Sequence, residues 1–229
     1  MVPSHSITMK LTIIGATGGI GRQLVEQAVE GGHDVTAVVR DPRRLSHAVH
    51  SVTVDLASPD STLLQAAIRG ADAVLSGLGA RSAADVGVAA RGTRSIMLAM
   101  NAVSVKRIVV VSAAPIGTVP SPGRPNPPKY DPGDGFLVRH LLAPLTKAAL
   151  RRHYADLAVM EDVLRESGTE WTVVRPPRLT NGRLTHAYRI AIGSNVRRGL
   201  SVSRADVADV MLRAVEDRTT VKQTIGIAN

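Results

Sequence analysis

The sequence predicts a doubly wound α/β domain, a parallel sheet with helices on both faces. Three observations carry that expectation. Short apolar runs alternate with amphipathic stretches through the first half of the chain. Those runs are apolar throughout rather than at every second residue, as strands covered on both faces should be. A glycine-rich turn, Gly15-Ala16-Thr17-Gly18-Gly19-Ile20-Gly21, joins the first run to the first amphipathic stretch. The 229 residues, 44% apolar and 21% charged, suit one folded domain over 1–229.

The elements follow in order. Leu11-Thr12-Ile13-Ile14 reads as a first strand ending at Gly15. Ile20, Leu24, Val25, Ala28 and Val29 recur at helical spacing, and Gly31-Gly32 ends that helix. Val35–Val39, Val52–Val54 and Ala73–Leu75 are the next three strands. Between the last two, Ser58-Pro59 opens a helix that runs to about Arg69, with Gly70 past its end. A longer helix fits Val86–Asn101, and Arg107–Val111 is a fifth strand. From Pro115 to Pro132 proline and glycine break the pattern, which predicts a lid-like insert over 115–150. Helical patterning resumes near Phe136 and runs, broken at Pro144, to Ser167-Gly168. Trp171–Val174 is a sixth strand ended by Pro176-Pro177, Asn181-Gly182 marks a turn, and Tyr188–Ile192 reads as a short strand. Ser203, with Asp206 three residues on, caps a last helix that turns Val207, Val210, Met211 and Ala214 inward. Thr224–Ile227 closes the sheet, and residues 176–202 form a small C-terminal substrate lobe.

Composition narrows the functional classes. Cysteine is absent, which excludes disulfides, thiolate catalysis and Cys-ligated metals. No cluster of His, Asp and Glu has metal-ligand spacing, so no metal is expected. No apolar run reaches the roughly 18 residues of a membrane span. Met1–Met9 lacks the basic start and apolar centre of a signal peptide, so a cytoplasmic protein without membrane association is expected. The net charge is +9, and 23 of the 28 basic residues are Arg. These arginines are scattered and aromatics are only 2% of the chain, which argues against a nucleic-acid partner.

The glycine turn carries the functional expectation. Gly15 permits the tight strand-to-helix turn, Gly18 lets backbone approach a diphosphate, and Gly21 lets the helix pack close to the sheet. The first amides of that helix, at the positive end of its dipole, then bind the pyrophosphate. A dinucleotide site presents an acid at the end of the second strand to a ribose 2′-OH, or an arginine to a 2′-phosphate. Here that strand ends in Arg40, followed by Asp41-Pro42-Arg43-Arg44. Arg40 with Arg43 or Arg44 can clamp a phosphate from two sides, so NADP(H) is the expected cofactor. Asp41 is the competing feature, an acid one residue late that would cap the next short helix. Asp55, just after the third strand, either reaches the adenine or caps its own loop.

With these residues the chain resembles the atypical short-chain dehydrogenase/reductases, Rossmann-fold proteins that bind NAD(P). The resemblance rests on GATGGIG, VVRDPRRL, Asp55-Leu56, Ser76-Gly77-Leu78-Gly79, VVVSAA and VVRPPRL, and spans Lys10 to about Asp217 except the Pro-rich insert. It is nearest to the NAD(P)H-binding group that holds biliverdin reductase B/flavin reductase and the NmrA-like redox sensors. The resemblance implies that Thr17, Gly18, Gly19, Ile20 and Gly21 hold the diphosphate, Arg40 and Arg44 the 2′-phosphate, and Asp55 with Leu56 the adenine. It places Gly77, Leu78, Gly79, Ser112 and Pro176-Pro177 around the nicotinamide and its ribose. Where the flavin reductases carry a histidine after the Pro-Pro pair, this chain has Arg178, which could pair with an acidic group of an acceptor. The second, helix-borne histidine of that group aligns near Leu157.

The chemistry open to such a site is limited. Most short-chain dehydrogenases place a Lys four residues after a catalytic Tyr, to lower its pKa. Here Tyr130, Tyr154 and Tyr188 are followed at that spacing by Asp134, Ala158 and Ile192. Hydride transfer to a flavin-like, quinone or similar conjugated acceptor asks less of the protein, because solvent can deliver the proton. Ser112 is the candidate hydroxyl for orienting the nicotinamide or substrate, and Tyr154 the candidate on the helix after the insert. His153 beside it reads as part of a solvated helix face. Two alternatives stand beside the reductase: a non-catalytic NADP(H)-binding regulator that acts through a protein partner, and a short-chain-type epimerase or isomerase in a biosynthetic pathway.

Overall fold

The apolar runs lie side by side in one sheet. The computed structural model describes residues 8–79, 85–136 and 138–229. Its strands are β1 (Lys10–Ile14), β2 (Asp34–Val39), β3 (His50–Thr53), β4 (Ala73–Ser76), β5 (Arg107–Val111), β6 (Glu170–Arg175), β7 (Arg178–Thr180), β8 (Arg189–Ile192), β9 (Ser201–Ser203) and β10 (Gln223–Ala228). Eight of them form the sheet β3-β2-β1-β4-β5-β6-β10-β8, while β7 and β9 pair as a separate ribbon. All pairings in the large sheet are parallel except β8 with β10. The chain winds outward from β1 to β3, then crosses back to β4 on the other side of β1. That reversal leaves a crevice beyond the carboxyl ends of β1 and β4, the place where ligands bind in sheets of this kind.

Helices cover both faces. They are α1 (Gly19–Glu30), α2 (Ser61–Ile68), α3 (Val88–Ala102), α4 (Ala143–Ala149), α5 (Arg151–Glu166) and α6 (Arg204–Glu216). Ile14, Val74, Ile108 and Val173 pack beneath α2, α3 and α5 on one face. Leu11, Ile13, Leu75 and Val109 pack beneath α1 and α6 on the other. Neighbouring residues of one strand thus feed two cores, which is why these strands carry no polar alternation. Among the described residues no helix is long and apolar enough to cross a membrane.

Several boundaries differ from expectation for local reasons. α2 begins at Ser61 rather than Ser58, because the Asp60 carboxylate accepts from both Thr62 N (2.8 Å) and Leu63 N (3.2 Å) and leaves Pro59 outside. α3 begins after Gly87, whose φ of +93° is left-handed. Its start is capped from another element: Asp156 of α5 accepts from Gly87 N, Ala89 N and Ala90 N at 2.9–3.1 Å. Pro144 does not break the later helix; it sits in the first turn of α4, and the break falls at Leu150, between α4 and α5. Ser203 does cap α6: its hydroxyl accepts from Asp206 N at 2.9 Å and donates to Asp206 Oδ2 at 2.8 Å. Asp206 also accepts from Thr185 N and His186 N, tying the stretch before β8 to α6.

The Pro-rich insert is pinned at both ends. Ser121 Oγ and Gly123 N donate to Asp162 of α5 at 3.0 and 2.9 Å. Asp131 Oδ1 accepts from Gly133 N and Asn195 N, both at 2.8 Å. The insert is thereby tied between α5 and the segment after β8.

Candidate functional site

The turn after β1 has the geometry that a diphosphate needs. Gly15 has a φ of +72°, and a Cβ on it would sit 3.2 Å from the Gly77 carbonyl. A Cβ on Gly21 would overlap the Gly15 carbonyl oxygen, so glycine is required for α1 to start so close to β1. Gly77 N donates to Ile14 O at 3.0 Å, which draws the β4 loop against the same turn. Gly18 is the N-cap of α1 and has no side chain to satisfy the first amides of the helix; no acid lies in its first turn. Backbone donors at the positive end of a helix, with no competing carboxylate, fit a phosphate group. One residue that the sequence did not single out lies against this turn. Arg204, the first residue of α6, places Cδ and Nε 2.6 Å from where a Gly19 Cβ would be.

A cleft continues from Gly15, Thr17 and Gly18 along the ends of β2, β3 and β4. Asp55, Leu56 and Arg40 line it, and so do Gly77, Leu78 and Gly79, which stand here with the residues expected at the adenine and not with Ser112 and Pro176. Gly92 of α3 makes room for Leu78, with Leu56 beside it, to form an apolar bed there. Asp55 also caps its loop, its Oδ1 accepting from Ala57 N at 3.0 Å. Ile20 and Gly21 stand behind the cleft wall, Ile20 buried in the core beneath α1.

Two of the arginines expected to clamp a phosphate, Arg43 and Arg44, are placed differently from expectation. Arg43 is not available as a clamp: its Nε and NH2 donate to Asp41 at 2.9 and 3.2 Å, while Asp41 caps the turn Pro42–Arg44. The same bond from Arg43 holds the Asp41 carboxyl below its usual pKa. Arg44 is exposed on that turn and does not line the cleft. The second guanidinium in the lining is Arg91, from the first turn of α3. Asp85 lines the cleft too, and its Oδ1 lies 3.5 Å from Arg40 NH1.

Beyond the ends of β5 and β6 a cavity of about 640 Å³ opens. Ser112, Tyr154, Pro176 and Arg178 all line it, together with Leu150, Val196, Leu200 and Ile227. Tyr154 is buried, its hydroxyl bonded to Thr146, and burial pushes the phenol pKa up. His153 also lines the cavity, which corrects its placement on a solvated face. Burial lowers its imidazole pKa, opposed by the charge of Asp156. The Arg178 side chain makes no hydrogen bond or ion pair among the described residues.

Ser112 has a different role from the one expected. Its Oγ donates to Glu161 Oε1 at 2.8 Å, so its proton points away from the cavity. Glu161 is 1% exposed and also accepts from Arg175 Nε at 2.9 Å and from Arg165 NH2. A fully buried carboxylate holds every donor within reach, because leaving it unpaired would be costly. The sequence carried a signal for this network. Glu161 interrupts the apolar face Leu157-Met160-Leu164, and Arg175 ends an apolar strand. Among the described residues no group of His, Cys, Asp or Glu is placed to hold a metal ion.

Comparison with known proteins fits this geometry. Residues 15–218 match the family described as NAD(P)H-binding. A Bacillus subtilis protein named as an uncharacterized sugar epimerase, YhfK, is 26% identical over 222 residues, covering 93% of this chain and 90% of its own. ChuY, an anaerobilin reductase from Escherichia coli O157:H7, superimposes with a TM-score of 0.73 at 21% identity, over 96% of each chain. A short-chain dehydrogenase/reductase from Veillonella parvula, solved in complex with NADP, superimposes with a TM-score of 0.74 at 20% identity, over 97% of this chain and 95% of that one.

Proposed function

The chain belongs to the NAD(P)H-binding family, and on that premise we propose that it is an NADPH-dependent reductase of a flat, conjugated acceptor such as a flavin, a quinone or a bilin. The observation that carries this reading is the apolar-walled cavity of about 640 Å³ at the carboxyl ends of β5 and β6, next along the sheet from the cleft at β1 and β4. When bound, the nicotinamide supplies a hydride; the protein supplies position and exclusion of water.

Thr17, Gly18 and Gly19 hold the diphosphate at the start of α1, with Ile20 and Gly21 behind them. Arg40 and Arg91 face the 2′-phosphate, and Asp41, the acid that follows Arg40, is bonded by Arg43. Leu56 and Leu78 bed the adenine. Ser112 fixes the end of β5 through Glu161, and Pro176 stiffens the end of β6, so the two walls that flank the nicotinamide are rigid. Tyr154 keeps its proton on Oη at neutral pH as any phenol does, and burial reinforces this by raising its pKa. It can therefore donate to a reduced acceptor. The free guanidinium of Arg178 suits an acidic group on that acceptor.

The likeness to a bilin reductase and to a protein complexed with NADP supports the same reading. The relative named as a sugar epimerase favours a second one. Epimerisation, however, requires a base that takes up a proton. Tyr154, with a raised pKa and Ala158 where a Lys would lower it, is poorly suited to that task. Steady NADPH oxidation on addition of FMN, a quinone or biliverdin tests the proposal. Tight NADP⁺ binding without turnover on that panel would overturn it and favour a regulator.

A further inference from the structure

A second cavity, of about 360 Å³, lies beneath the Pro-rich insert on the face of β6 and β10. Four cations line it: Arg124 from the insert, Arg165 from α5, Arg175 from β6 and Lys222 before β10. Arg175 and Arg165 are balanced by Glu161 and Asp162. Asp131 is the lining carboxylate, and its Oδ1 is already held by two backbone amides. Four positive groups thus face three negative ones. The surplus falls to Arg124 and Lys222, whose side chains have no hydrogen bond or ion pair among the described residues. Burial, and then the guanidiniums of Arg165 and Arg175, push the Arg124 pKa down. A bound anion would relieve that crowding. The remaining walls include the aromatic residues Trp171 and Tyr130, so the space suits an anion that carries an organic body.

We propose that this cavity binds a small phosphate monoester, its phosphate on Arg124 and its body against Trp171 and Tyr130. Phosphate favours this site over a carboxylate because a dianion with three acceptor oxygens can serve several guanidiniums at once. The site lies apart from the dinucleotide cleft and does not depend on the function proposed for it.

Trp171 is the chain's single tryptophan, so its fluorescence reports on this cavity. The protein is first saturated with NADP⁺, so that the glycine turn does not take up the probe, and is then titrated with phenyl phosphate, inorganic phosphate and phenol. Calorimetry follows the same titrations. A saturable change is expected with phenyl phosphate, at lower concentration than with inorganic phosphate, and none with phenol. Arg124→Ala should raise the half-saturation concentration about tenfold or more, as loss of a charge-assisted bond does, while Arg124→Lys keeps most of the affinity. Unchanged NADP⁺ binding by both variants shows that their fold is intact, and Arg124→Gln replaces Arg124→Ala if it does not fold. Absence of saturable uptake, equal affinity in the Arg124 variants, or equal effects of phenol and phenyl phosphate would overturn the site. Equal affinity for phenyl phosphate and inorganic phosphate would overturn the monoester. Failure of NADP⁺ to bind at all is seen separately in the first step, and the titration then proceeds on the unliganded protein.

Discussion

Arg204 lies across Gly19: a Cβ on that glycine would fall 2.6 Å from both Cδ and Nε of the arginine. Its guanidinium is steadied by Asn181, whose Oδ1 accepts from NH1 at 2.6 Å. The contact joins the first residue of α1 to the first residue of α6, so a positive charge stands beside the amides that face a diphosphate. Both pyridine dinucleotides share that diphosphate. Arg204→Ala should therefore weaken NADPH and NADH alike, by about tenfold, the worth of one charge-assisted hydrogen bond. Calorimetry with each cofactor checks it, and a loss confined to NADPH would place Arg204 elsewhere on the ligand.

Arg40 should behave in the opposite way. It stands at the end of β2, more than half exposed, and among the described residues its ion-pair partner is Asp85 at 3.5 Å. Arg40→Ala should cost NADPH about 1.5–3 kcal/mol and leave NADH nearly unchanged. Arg91→Ala should act in the same direction, whereas Arg44→Ala, outside the cleft lining, should do little. Equal losses for NADPH and NADH in Arg40→Ala would show that no 2′-phosphate is held there.

How far the sequence reveals these positions depends on how local their causes are. Gly15, Gly18 and Gly21 are legible because a tight turn and a close helix start are requirements of the turn itself. Arg40 is legible because the end of β2 fixes where it stands, and the Ser203–Asp206 cap because its partners are three residues apart. Arg91 and Asp85 are not legible, since they reach the cleft only where α3 docks. That docking is set by Asp156, 69 residues beyond Gly87. Ser112 misleads for the same reason: its partner Glu161 lies 49 residues away. The antiparallel direction of β8 is likewise decided by its pairing with β10, not by its own residues. Asp60 and Ser58 are both capping types, and only the geometry of the Asp60 carboxylate, which reaches two amides, selects between them.

Glu161 should be the most sensitive of the buried polar positions. Its carboxylate accepts from Ser112, Arg165 and Arg175, and the Arg175 side chain is itself only 6% exposed. Glu161→Gln keeps the shape but removes the charge, which leaves a buried guanidinium unpaired. Breaking a buried pair in this way costs about 3–5 kcal/mol, to be read from denaturant unfolding. Ser112 loses an oriented acceptor at the same time, so NADPH oxidation should fall as well. A variant as stable as the parent would show that water or another acceptor replaces the carboxylate.

His153 gives the protein a pH dependence whose sign follows from its burial. Its imidazole pKa is lowered from the ordinary 6.5, chiefly by desolvation in the cavity wall, with Asp156 opposing. In the unfolded chain the ring takes up a proton as pH falls through about 6.5, while in the folded chain it still resists. The unfolded state then binds more protons than the native state, so stability declines as pH drops below about 6.5 and levels off only below the folded-state value. His153→Gln removes the titrating group but keeps a polar side chain. The stability difference between parent and variant, measured by urea unfolding at several pH values, should move against the parent between pH 7 and pH 5. A difference that stays constant over that interval would mean that the imidazole is solvated in the folded protein and does not face the acceptor cavity.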